Sequence, residues 1–339
     1  MFLKSIRAFL LAAVFIVSAV TGWLVRELAA PAAASAGAKG VFFEVPKGLS
    51  ARGVVGRLRE EDLVRSARPL RLACRIFFPD QRFKAGEYFF AAPLPAKAAL
   101  FTIFGGRIYL QPVTVPEGLT EQEIADLLKP GDPAGAEAFR QAFRNTALIA
   151  DLDPRARDLE GYLFPDTYDL PRRAPAADLV EAMVAGFRRV FDESRRERAA
   201  ELGLSVRDVV TLASLIEEET ALPEERPLVS AVFHNRLKIG MRLDCDPTVA
   251  YALKREGRYS GRLLFRDLKL DSPYNTYLHA GLPPGPISNP GASSLEAALH
   301  PATVDFLYFV AKGDGSHRFS RTLGEHLAAV EKYRELKNR

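Results

Sequence analysis

The pattern of apolar and polar positions divides this chain before any single residue does. From Ala8 to Val25, AFLLAAVFIVSAVTGWLV, eighteen residues pass without a charge, just enough to cross a hydrocarbon core. Lys4 and Arg7 precede this run and Arg26 closes it, so the N-terminal end is expected to stay in the cytoplasm, with Trp23 at the outer interface. The Ala-rich stretch PAAASAGA that follows offers small residues for cleavage, as a signal peptide would. The apolar run is longer than a usual signal core, so an uncleaved anchor is expected. The pattern predicts a cytoplasmic end and transmembrane anchor over 1–28 and a linker over 29–40.

Beyond the linker the periods become those of a folded body. VFFEV reads as a short strand, Pro46-Lys47-Gly48 as a turn, and Ser50 as the cap of a helix with Val54, Val55 and Leu58 on one side. FKAGEYFF supplies a second strand, making a compact α+β module over 41–110. The opening VPKGLS (45–50) is echoed by VPEGLT (115–120), each before a helical pattern, with Ser50 or Thr120 as cap and Gly for the turn. The rest, 111–339, carries helical patterns at 121–128, 136–147, 177–200, 224–237 and 322–337. FLYFVAKGDGSHRFS reads as two strands about a Gly-Asp-Gly turn. The fold class is therefore α+β.

One helix stands out. In VRDVVTLASLIEEET (206–220), capped by Ser205, a 100° advance per residue puts Val206, Val209, Val210, Ala213 and Ile216 on one face, and Glu217 among them. Glu218 projects to the polar side and Glu219 falls near the Leu212 edge. Of the three acids only Glu217 is driven by the period into apolar surroundings. Burial and the negative end of the helix dipole would both favour its protonated form, which is what a general acid requires.

Composition adds little to this. Lys and Arg total 46 against 42 Asp and Glu, a net charge of +4, too small and diffuse for a nucleic-acid binder. Cys74 and Cys245 are too far apart to suggest a disulfide framework, and two separate buried thiols are expected. His279, His300 and His317 lack metal-ligand spacing, so no metal and no cofactor are expected.

Two further segments are candidates for binding. LEGYLFPDTY (159–168) is aromatic and turn-rich, suited either to a sugar cleft or to a packed loop. Residues 272–291 hold five Pro and three Gly around Tyr274, Asn275, Thr276, Tyr277 and Asn289, a stiffened loop expected to form a binding surface. Ahead of it, Asp246 begins a Pro-started helix as its N-cap.

Taken together, LEGYLFPDTY, LASLIEEET (212–220), VFHNRLKIGMRLDCDPTVAY (232–251), PYNTYLHAGLPPGPISNPG (273–291) and AALHPATVDFLYFVAKGDGSHRFS (297–320) resemble the YceG-like family, the endolytic murein transglycosylases also called MltG. The resemblance covers the chain from residue 41 to its end and includes the N-terminal anchor. It implies a membrane-anchored lytic transglycosylase of the cell envelope, acting on peptidoglycan glycan strands beside peptidoglycan synthases. Such an enzyme cleaves the MurNAc–GlcNAc β-1,4 bond and leaves a 1,6-anhydro end. It further implies a LysM-like fold for 41–110 and a catalytic domain for 111–339. The catalytic Glu of the family falls on Glu217, with Glu219 as the substitute. Asn275, Tyr274, Thr276, Tyr277, Asn235, Arg236, Asp246, Glu160 and Tyr162 fall in matching motifs as sugar contacts or supports, and contact is expected most of all for Asn275. Two competing functions remain: a noncatalytic peptidoglycan-binding scaffold, and a two-carboxylate hydrolase pairing Glu217 with Asp246 or Glu160.

Overall fold

The structure, a computed structural model, describes residues 2–31, 40–91, 94–128 and 133–337. Most of the expected linker, 32–39, lies outside the described residues. The chain separates into two compact units, one of residues 1–111 with 169–173 and one of 112–168 with 174–339.

The first unit begins with α1 (Phe2–Ala29), whose stretch Phe9–Ala29 is long and apolar enough to cross a membrane, with a mean hydropathy of 2.0. Nearly all of this stretch is exposed, so α1 is no core helix. There follow β1 (Val41–Val45), α2 (Ala51–Glu60), α3 (Ala67–Phe77), β2 (Gly86–Phe90) and α4 (Ala96–Gly105). β1 and β2 pair antiparallel with Phe43 opposite Tyr88 and Val41 opposite Phe90, and alternate residues point into the core. Phe43, Val45, Tyr88 and Phe90 meet Val54, Val55 and Leu58 of α2 and Leu100 and Ile103 of α4. Each such side chain contributes about 1.5–3 kcal/mol on leaving water. Ser50 caps α2, accepting a hydrogen bond from the Gly53 amide, as the sequence predicts. Cys74 and Cys245 are free; Cys245 is buried but Cys74 only half-buried.

β3 (Leu110–Thr114) and β4 (Thr167–Pro171) pair as a two-stranded sheet, and the residues of each strand are divided between the two units. The second unit holds α5 (Glu121–Leu128) and α6 (Pro133–Ala142) before β4, then α7 (Ala176–Val190) and α8 (Glu193–Glu201). The 177–200 pattern is thus two helices rather than one. The chain breaks at Asp192, which leaves helical geometry and caps α8 by accepting from the Arg195 amide.

α9 (Val206–Glu219) is the axis of this unit. A capping box starts it, Ser205 Oγ accepting from the Asp208 amide while the Asp208 carboxylate accepts from the Ser205 amide. Every residue from Val209 to Ile216 is buried, so the helix is packed on all sides and not on one face alone. Its neighbours are α8, α10 (Arg226–Lys238), α11 (Asp246–Arg255) and α12 (Ala292–Leu299). The loop between α11 and α12 is anchored by Ser214, whose hydroxyl donates to Thr211 O at 2.7 Å and accepts from the Ile287 amide at 3.0 Å. β5 (Tyr308–Ala311) and β6 (His317–Ser320) pair antiparallel, and α13 (Leu323–Lys337) ends the chain.

Candidate active site

The C-terminal turn of α9 delivers three carboxyls to three different surroundings. Glu217 points inward, its side chain only 6% exposed, as the helical period predicts. The surroundings are not apolar, however. Arg226, at the start of α10 and itself buried, donates to Glu217 Oε1 at 2.8 Å, and the Gly291 amide donates to Oε2 at 2.9 Å. Both oxygens are therefore held, one by a single charge-assisted hydrogen bond. The same guanidinium lies 3.7 Å from Glu117 Oε2. Burial and the nearby Glu217 charge raise the Glu117 carboxyl, while Arg226 opposes the shift.

Gly291 gives the cluster room: a Cβ there would lie 1.9 Å from Glu117 Oε1, so only a bare backbone allows that carboxyl so close. Glu117 belongs to the turn VPEGLT, and the next residue, Gly118, donates its amide to Asn289 O at 2.9 Å. The echo of VPKGLS by VPEGLT thus carries a difference the capping pattern conceals, an acid where the first copy has Lys47. Thr120 caps α5 in a box with Glu123.

Glu218 keeps an exposed edge, yet packing around its carboxyl raises it to about 7 against the pull of Lys254. Glu219 is also pushed up to about 7, first by burial and further by Asp246, with Cys245 and Arg236 opposing. Glu218 thus stays at the surface, as its polar-side projection predicts, while Glu219 as well as Glu217 is drawn inward, where the helical period singles out only Glu217. Glu219 lines a cavity of about 570 Å³ together with Asp244, Asp246 and Tyr277. Asp246 does not cap α11; its carboxylate accepts from Tyr277 Oη at 2.6 Å, and the N-cap position falls to Cys245. Asp244, at φ 45° in the left-handed region, has a buried Oδ1 with no hydrogen-bond partner among the described residues, the nearest charge being Arg242 Nε at 3.7 Å.

The remaining sequence candidates divide between support and surface. Asn275, expected to contact sugar, is fully buried and spends its amide on its own loop. Nδ2 donates to Leu268 O and Leu270 O, and Oδ1 accepts from the Tyr277 amide. Thr276 is equally buried, its hydroxyl accepting from the Cys245 amide and lying 3.0 Å from Thr248 Oγ1. Asn235 and Arg236 clamp the segment before β5, donating to Val304 O and Phe306 O and to Leu307 O respectively. Tyr162 is a core ring whose hydroxyl donates to Asp153 at 2.8 Å. Short polar residues that bind their own backbone this way are fixing loops, and sequence spacing does not separate this role from ligand contact. Tyr274 is half-buried and lines a second cavity, of about 670 Å³, with Glu160. Tyr274 and Tyr277, three residues apart, therefore face different cavities.

Glu160 is buried and raised to about 8, chiefly by burial and then by Asp158. It accepts from the Glu121 amide at 3.1 Å, from Asn289 Nδ2 at 2.9 Å and from Tyr251 Oη at 3.3 Å. Asn289 is the knot of the site, since its Oδ1 also accepts from the Gly161 and Leu163 amides, at 2.9 and 3.0 Å. Gly161 must be glycine: its φ is +84°, and a Cβ would lie 2.5 Å from Pro286 and 2.7 Å from Val210. Through these bonds the VPEGLT turn, the 159–163 segment and the proline loop are tied together beside Glu217. Arg226 and Glu117 are the residues sequence patterns pass over, and Asn289, noted only as part of the proline loop, proves to be a structural tie. Among the described residues, no three His, Cys, Asp or Glu side chains gather as a metal site.

Comparison with known proteins agrees with this architecture. The YceG-like family model matches residues 43–332. An endolytic murein transglycosylase of Bacillus subtilis is 35% identical over 315 residues, spanning 88% of this chain and 86% of that protein. One from Streptococcus pneumoniae is 32% identical over 226 residues, 60% of this chain and 40% of its own. A crystal structure of a YceG-like protein from Listeria monocytogenes superposes with a TM-score of 0.58 at 31% identity, covering 86% of this chain and 98% of that one. With a family model matched along most of its length and a relative of this identity and coverage, the chain belongs to the YceG-like family.

Proposed function

We propose that this protein is an endolytic transglycosylase that cuts peptidoglycan glycan strands at the MurNAc–GlcNAc β-1,4 bond. In this proposal α1 anchors it in the cytoplasmic membrane and both folded units lie on the far side. The single observation that carries the catalytic assignment is the grip on Glu217: a nearly buried carboxyl with both oxygens fixed, by Arg226 and the Gly291 amide, beside a second carboxyl, Glu117. A carboxyl held so rigidly stands at a defined point relative to a bound strand.

The chemistry needs one acid. Glu217 protonates the leaving glycosidic oxygen as positive charge develops at C1 of MurNAc. Its carboxylate then takes the proton of the C6 hydroxyl as that oxygen bonds to C1, closing a 1,6-anhydro ring. The proton count balances and no water is consumed. Arg226 steadies the carboxylate between the two steps.

Glu219 supports a second reading of the same activity. It is raised to about 7, so that a large fraction is protonated at neutral pH, and it opens on a cavity. The test is digestion of purified glycan strands by the detergent-solubilised chain and its Glu217→Gln and Glu219→Gln variants, with product masses recorded. Anhydro-ended products from the wild type and from Glu219→Gln, but none from Glu217→Gln, support the proposal. The reverse pattern moves the acid to Glu219. Reducing ends would indicate a hydrolase, and intact strands with every protein would indicate a scaffold.

A further inference from the structure

The 670 Å³ cavity lies at the other end of α9 from the catalytic acid. Arg207 lines it, and ten residues of helix, about 15 Å, separate Arg207 from Glu217. The proline loop joins the two places, its Leu282–Pro286 stretch forming one wall of the cavity and its Gly291 holding Glu217. The cavity is within the volume range of ordinary ligand sites.

Its charges do not cancel. Asp153 is consumed by Arg207, at 2.9 Å, and by Tyr162. Asp208 is consumed by the α9 capping box, and Glu160 by the buried network around Asn289. Asp158 remains, accepting from the Glu160 amide. Against it stand three arginines. Arg155 and Arg157 are exposed and make no side-chain ion pair or hydrogen bond among the described residues. Arg255 lies 5.7 Å from the Tyr251 ring centre and 5.6 Å from that of Tyr274, with a single long bond to Tyr274 Oη. Stacking of this kind holds a guanidinium in place while leaving its donors free for a carboxylate fork. Tyr274, Pro283 and Pro286 provide an apolar wall beside these donors.

We infer that this cavity is a second binding site of the enzyme and that it takes the carboxylate-bearing peptide stem attached to the glycan, a few sugars from the bond being cut. The inference rests on the proposed action on peptidoglycan. Peptide carboxylates pair with Arg155, Arg157 and Arg255, and the peptide backbone lies against the tyrosine and prolines. The site makes the enzyme prefer strands that still carry peptides over stripped ones.

The test uses the full-length chain in detergent and two measurements. Binding of a synthetic L-alanyl-γ-D-glutamyl stem peptide is followed by calorimetry. Cleavage is followed on peptide-bearing strands and on strands stripped by an amidase. The Arg155→Glu/Arg157→Glu double variant and Arg255→Gln should each weaken peptide binding about ten-fold or more. They should raise KM on peptide-bearing strands by a similar factor and leave cleavage of stripped strands as in the wild type. Peptide binding unchanged in both variants would overturn the inference, as would equal wild-type KM values on the two strand types. Because peptide binding does not need the acid, Glu217→Gln should bind the peptide as the wild type does. A chain that binds the peptide through these arginines but cuts no strand would refute the proposed activity and leave the peptide site standing.

Discussion

Asn289→Ala is the sharpest structural probe of the site, because one fully buried amide joins three separate chain segments. Four side-chain hydrogen bonds disappear: two accepted from the Gly161 and Leu163 amides, and two donated to Leu119 O and Glu160 Oε1. Not all of these partners are left bare. Leu119 O still accepts from the Asn289 amide at 3.0 Å, and Glu160 Oε1 still accepts from the Glu121 amide. The Gly161 and Leu163 N–H groups lose the only acceptor that reaches them from the loop. Leaving a buried donor unsatisfied costs about 1–3 kcal/mol, so the pair puts the loss at about 4 kcal/mol. In a unit of roughly 220 residues that corresponds to a fall in Tm of about 8–16 °C. Differential scanning calorimetry of the solubilised chain reads this directly, and strand cleavage should fall with it because the loop that carries Gly291 loosens. A Tm within 2 °C of the wild type would show that the knot is not what holds these segments, and the reasoning would fail.

Other perturbations have equally definite signs. Glu160 is raised to about 8 in the folded chain, so between its unfolded value near 4.5 and about 8 the folded state binds the extra proton and stability falls as pH rises. Glu160→Gln keeps the acceptor for the Glu121 amide and should flatten that slope in denaturation curves measured from pH 5 to 8; an unchanged slope would assign it to another group. Arg226→Met leaves Glu217 with only the Gly291 amide and should cut strand-cleavage rates at least ten-fold while costing about 3–5 kcal/mol in stability, readable by urea titration. Ser205→Ala removes the start of the α9 capping box and should cost about 1 kcal/mol with no change in the masses of the products.

Local patterns carried the elements well because local physics makes them. The β1–α2 turn, the Ser50 and Ser205 caps and the β5–β6 pair follow from side chains within a few residues of each other. The inward turn of Glu217 was legible for the same reason, since a helical period needs no tertiary information. What a period cannot supply is the identity of the neighbour. Arg226 is nine residues on, across a turn, and Glu117 is a hundred residues back, so an apolar pocket is what the sequence predicts where the structure has an ion pair. The break at Asp192 was hidden because a residue that caps α8 is also tolerated inside a helix. Asn275 and Asn235 illustrate a different limit: an amide in a loop looks the same in sequence whether it faces a ligand or its own backbone.

The most direct test of the central claim is the product spectrum of purified glycan strands treated with Glu217→Gln, alongside its melting temperature. A variant that melts as the wild type does, and yields none of the anhydro-ended fragments the wild type releases, is the predicted result. Undiminished release of those fragments by Glu217→Gln would contradict it.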